Sequence, residues 1–138
     1  MKLEDIRIIE QELGITLPKH YVKYITNFPI TLKELKTQIG ELLFLYDNPE
    51  QLISTNRFLG FHGSDKFIKD KLCIGENGGG DYYLIDLCNP FDQKVYFFDH
   101  EESVEKYYNQ EENTWEWNKL ESCDNLKEHE NEILELFN

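Results

Sequence analysis

The chain of 138 residues is short of paired cysteines, of positive charge and of long apolar runs, and each shortage excludes a class of protein. Its three cysteines, Cys73, Cys88 and Cys123, are scattered and form no CxxC pair. A disulfide framework or a zinc ribbon needs cysteines in pairs, so the expectation is three reduced thiols in a cytoplasmic protein. The longest apolar run, Leu42-Leu43-Phe44-Leu45-Tyr46, is strand-sized, far below the ~20 residues of a membrane span. Met1-Lys2-Leu3-Glu4-Asp5 turns acidic at once and does not read as a secretory leader. Only 14 basic residues stand against 27 acidic ones, a net charge of −13. Phosphate neutralisation drives nucleic-acid affinity, so a surface of this sign repels nucleic acid and anionic membrane. It attracts and steers a basic protein.

Apolar material is not scarce. Hydrophobic residues make up 40% and aromatics 14% of the chain, enough to bury one core, and no repeat or Ser/Gly/Pro-rich linker divides it. Residues 1–138 therefore read as a single domain. Leu3, Ile6, Ile9 and Leu13 recur at helical steps and Gly14 stops them. A second helix follows, with Thr16 as its cap, Pro18 in its first turn, Tyr21, Val22, Ile25 and Phe28 inward, and Pro29 as its end. Residues 30–46 read as two strands, around Ile30 and Leu32 and along 42–46, with Gly40 between. Asn48 caps a third helix that turns Leu52, Ile53 and Leu59 inward, and residues 60–70 read as a loop. Residues 72–74, 82–87 and 94–98 form an antiparallel meander, joined by turns at 75–81 and 89–92. A last helix, capped by Asp124, buries Leu126, Ile133, Leu134 and Phe137. The fold class is α+β: an antiparallel sheet flanked by an N-terminal helix pair and a C-terminal helix.

Motifs for chemistry are missing. Gly75-Glu76-Asn77-Gly78-Gly79-Gly80-Asp81 has no Lys-Ser/Thr, leads into a strand and carries two acids, so it is not a phosphate loop. It reads as a flexible turn, or as bare backbone a partner could approach. His20, His62, His100 and His129 are dispersed. His100-Glu101-Glu102 and Glu128-His129-Glu130 put neighbours on different faces. No HExxH exists, because Ile133 stands where His129 would need its second histidine, and Asp81, Asp86 and Asp92 lack the calcium-loop order. Ser54, Ser64, Ser103 and Ser122 sit in no nucleophile elbow. Cys73 and Cys88 read as small apolar-strand residues. No catalytic residue, cofactor or metal ligand is assigned, and the chain reads as a binder, not an enzyme.

Charge is uneven. Residues 1–98 hold 14 acids and 11 bases, whereas residues 99–138 hold 13 acids and 3 bases. Tyr107, Tyr108, Trp115 and Trp117 interleave with those acids. Aromatic anchors supply contact energy while charge steers approach. The candidate partner-binding residues are Glu101, Glu102, Tyr107, Tyr108, Glu111, Glu112 and Trp115. The bland alternative is a solvated acidic face over a satellite core, which suits Trp117 best.

Two stretches carry a family likeness. One is Leu13-Gly14-Ile15-Thr16-Leu17-Pro18-Lys19-His20-Tyr21. The other is the run from Ile74 through the glycine turn to Tyr82-Tyr83, followed by Leu84-Ile85-Asp86 and Val95-Tyr96-Phe97-Phe98-Asp99-His100. In this order, closed by an acidic helix, they resemble the SUKH superfamily, the Smi/Knr group. Asn27-Phe28-Pro29 departs from the usual Asn-Gly there, and Asp124-Asn125 stands where an aromatic is common. The resemblance implies an α+β domain for protein contact with no catalytic set. Its bacterial members are similar to immunity proteins that neutralise a cognate toxin, often a nuclease. The expected partner is thus a basic protein such as a secreted toxin domain. The alternative is a scaffold of the kind that regulates cell-wall glucan synthesis.

Overall fold

The computed structural model describes residues 1–61, 71–99, 101, 106–109, 111–112 and 114–138. Among these, five α-helices surround an antiparallel sheet of four strands. No helix among them is long and apolar enough to cross a membrane.

Helix α1 (Leu3–Leu13) buries Ile6, Ile9 and Leu13, and Gly14 ends it at φ 65°. Such a left-handed turn favours glycine. Helix α2 (Lys19–Thr26) buries Tyr21 and Ile25. Its cap is Pro18, not Thr16, and no side chain caps it. The Glu10 carboxylate instead reaches over from α1 to accept the Leu17 N–H at 2.8 Å.

The two strands expected over residues 30–46 are not there. Helix α3 runs over Ile30–Ile39, from Pro29 at its cap to Gly40 at φ 87°. Leu32 and Leu35 are its buried pair, three residues apart. The alternation of Ile30 with Leu32 misleads because Ile30 is 70% exposed. Residues 42–46 belong to no strand but run beside the sheet: the Tyr46 N–H donates to Ile74 and the Glu76 N–H to Leu43, both at 2.8 Å. Helix α4 (Pro49–Phe61) starts at Asn48, whose Oδ1 accepts the Glu50 and Gln51 N–H groups. Leu52, Ile53 and Leu59 are buried as expected. The helix takes in residues 60 and 61 of the expected loop; residues 62–70 lie outside the described residues.

The sheet order is β1 (Lys71–Glu76), β2 (Tyr82–Asp86), β3 (Val95–Phe98), β6 (Glu121–Cys123). The three-strand meander is present and gains β6 as a fourth, antiparallel to β3. A separate pair, β4 (Tyr108–Asn109) and β5 (Thr114–Trp115), forms a small hairpin. The outer edge of β1 is closed rather than left open for aggregation. Residues 42–46 line it, and the buried Asn56 side chain of α4 bonds both the N–H and the C=O of Cys73. Gly75 sits at a bulge in β1. A Cβ there would lie 2.1 Å from the Phe44 carbonyl oxygen, so its bareness serves the chain's own backbone.

The β1–β2 turn is organised by Asn77. Its side chain donates to Asp81 and accepts the Gly79 and Asp81 N–H groups, while Gly78 and Gly80 take positive φ. The last helix, α5 (Leu126–Leu136), is capped by Asn125, not Asp124; Asn125 Oδ1 accepts the Glu128 N–H at 2.9 Å. Leu126 and Ile133 are buried, Leu134 is half-buried, and Phe137 is 43% exposed at the C-cap. The buried Glu130 ties α5 to α2 and α3, accepting from the Tyr24 hydroxyl at 2.7 Å, Lys127 at 2.7 Å and Thr31 at 3.4 Å.

Candidate interaction surfaces

The acidic segment splits by burial. Tyr107 and Trp115 are 5% and 7% exposed. They pack with Phe98, at ring separations of 5.6 and 6.0 Å, and Trp117 stacks on Tyr96 at 4.3 Å. The buried Lys71 ammonium lies 4.1 Å from the centre of the Trp115 ring. This aromatic cluster shelters that cation. Tyr108 is half-buried, and Glu101, Glu111 and Glu112 are exposed. Asn109 Oδ1 accepts the N–H groups of Glu111 and Glu112, a turn that presents both carboxylates. Glu102 lies outside the described residues.

A second surface was not visible from sequence. Strand register puts Tyr83 opposite Phe97 and Phe97 opposite Glu121, one row across three strands. The His129 ring of α5 rests on Tyr83 at 4.5 Å, and Phe44 bridges Tyr83 and Phe137 at 6.1 and 5.8 Å. Two adjoining cavities, of about 240 and 460 Å³, flank this stack. Their floor is aromatic and their rim is acidic, with Glu121, Glu132 and Glu135, all exposed. A half-buried aromatic row inside a negative rim suits a basic partner carrying apolar side chains.

Within that cleft, Cys123, His129 and Glu132 bring one donor atom each to within 4.8 Å of one another. The His129 Nε2 lies 2.8 Å from the Phe44 carbonyl, to which it donates, so Nδ1 keeps its lone pair. Burial lowers the His129 pKa against the opposing pull of the bond to the Phe44 carbonyl. Burial, and then the neighbouring Glu132 charge, push the Cys123 thiol up to about 11. The hint in sequence was the i, i+3 spacing of His129 and Glu132, which share a helix face. Glu128 and Glu130, the immediate neighbours of His129, lie on other faces. Elsewhere, burial pushes the Cys73 thiol up to about 12, which favours its protonated form.

A third surface is an apolar groove of about 580 Å³ between α1 and α4, with Ile8 42% and Phe58 54% exposed. The Arg57–Glu12 ion pair at 2.5 Å crosses it, so it lacks the single-sign rim of the α5 cleft.

Comparison with known families matches residues 1–119 to the SMI1/KNR4 family (SUKH-1). No curated protein and no solved structure matches the chain.

Proposed function

The chain belongs to the SMI1/KNR4 family (SUKH-1), and from that premise we propose that it is a non-catalytic binding domain of the immunity type, which neutralises a basic, nuclease-type toxin by covering its substrate groove. The observation that carries this reading is the placement of charge. The net −10 of residues 99–138 includes the exposed rim of Glu121, Glu132 and Glu135 around a half-buried aromatic floor. Nucleases bind phosphate through basic grooves, and an acidic face competes for the same groove while aromatic side chains anchor it. No bond is made or broken, so no cofactor is required.

The test is co-expression with the product of the reading frame beside this chain's gene. Rescue of growth from a toxic product, with a stoichiometric complex on purification, supports the proposal. A toxic neighbour that this chain neither rescues nor binds overturns it. Stable capture of a wall-synthesis or signalling protein by the cleft, abolished by reversing Glu121 and Glu135, would move the reading to the regulatory branch.

A further inference from the structure

We propose that Cys123 Sγ, His129 Nδ1 and a Glu132 carboxylate oxygen form a three-ligand site for a zinc-class divalent ion where β6 meets α5. All three residues lie beyond the span matched to the family, and the site rests on the geometry alone.

The donor set fits. Thiolate, imidazole and carboxylate together suit zinc, whereas magnesium and calcium take oxygen donors. In a tetrahedral zinc site with bonds of 2.0–2.3 Å, donor atoms sit ~3.5 Å apart. Here one donor atom of each residue lies within 4.8 Å of the others, and staggered rotamers of the Cys123 and Glu132 side chains are the means by which the set would contract about an ion. Glu132 is exposed and free to turn. The Cys123 Sγ contact it would give up is a 3.6 Å bond to the Asn125 carbonyl, weak by its length and by its sulfur donor.

The imidazole is already set for the task. Its Nε2–H is held by the Phe44 carbonyl at 2.8 Å, the outer-shell bond that fixes the tautomer of a metal-binding histidine. Its ring is steadied against Tyr83 at 4.5 Å. The ion would enter from the cavity of about 240 Å³ that all three residues line, and the fourth position is left to water. On binding, the thiol proton passes to solvent.

The experiment uses the full, reduced chain stripped of metal with a chelator and titrated with Co²⁺, then with Zn²⁺. The expected result is a thiolate-to-cobalt charge-transfer band that saturates at one equivalent and is displaced by zinc. Cys123→Ser removes the band and Cys88→Ser keeps it. Glu132→Gln, on an exposed helix face where folding does not depend on it, weakens Zn²⁺ binding by at least about tenfold. Absence of the band, its survival in Cys123→Ser, or unchanged affinity in Glu132→Gln would each overturn the site. The titration uses the chain alone, so its three outcomes do not depend on the toxin-binding reading.

Discussion

Replacing Gly75 by alanine probes the joint on which both β1 and the cleft depend. Gly75 has an ordinary φ and is absent from the positive-φ glycines, so its role is close approach rather than backbone freedom. The added Cβ would lie 2.1 Å from the Phe44 oxygen, 2.4 Å from its carbon and 3.0 Å from the Leu43 oxygen. These are main-chain atoms and cannot rotate away. Residues 43–46 must retreat, although the Leu43–Glu76 and Ile74–Tyr46 hydrogen bonds hold them at 2.8 Å. Overpacking of this kind costs about 1–3 kcal/mol. The displaced carbonyl is also the one that holds His129, which adds about 1 kcal/mol. The sum, about 2–4 kcal/mol, corresponds to a fall in Tm of ~6–12 °C for a domain of this size. Urea unfolding by circular dichroism measures it. Gly40→Ala is the control: it meets no atom within 4 Å, and only its φ of 87° is strained, for about 1–2 kcal/mol. A Gly75→Ala cost below that of Gly40→Ala, with the His129 ring resonances unshifted, would refute the reasoning.

Other expectations follow from the same contacts. Trp115→Ala should cost about 3–5 kcal/mol, while Glu111→Ala and Glu112→Ala stay within about 0.5 kcal/mol; equal small effects would return Trp115 to the surface. Tyr24→Phe and Glu130→Gln should each cost about 1–3 kcal/mol, and a double-mutant cycle should show coupling of at least about 0.5 kcal/mol; additive losses would show that the 2.7 Å bond does not join α2 to α5. His20 has both ring nitrogens buried without a hydrogen-bond partner among the described residues, and burial lowers its pKa against the opposing pull of Asp92. The unfolded chain therefore binds the His20 proton first, and stability falls as pH drops below the ordinary value of about 6.5. Urea midpoints in chelator at about pH 7.5 and about pH 5.5 should differ less in His20→Gln than in the native chain; an unchanged difference would remove His20 from the account.

Much of the architecture was legible because it is local. The stripe Ile6, Ile9, Leu13, the stop at Gly14 and the cap at Asn48 each act within a few residues; Leu3, expected at the head of that stripe, is instead 66% exposed in the first turn. The failure at residues 30–46 also has a local cause. Pro29 and Gly40 bracket a helix, but Ile30 and Leu32 mimic strand alternation, and only the exposure of Ile30 breaks the tie. The cap moved from Asp124 to Asn125 for want of a second signal. The cleft is different in kind. Phe44, Tyr83, Phe97 and His129 are distant in the chain and meet only through strand register and the docking of α5. Charge could be assigned to a third of the sequence, whereas its arrangement around an aromatic floor needed the fold. Likewise, Tyr107 and Trp115 look alike as surface anchors or buried props until Phe98 and Lys71 are placed beside them.

The central claim is that the acidic face meets a basic protein. The most direct measurement is the association rate of the purified chain with the protein product of the neighbouring reading frame, taken at low salt and at about 0.15 M salt. The same rate is measured for the Glu121→Lys/Glu135→Lys variant. The expected rate falls at least about tenfold between the two salts for the native chain. The variant is expected to associate more slowly and with little dependence on salt. A native rate indifferent to salt, or a variant that associates as fast as the native chain, would contradict it.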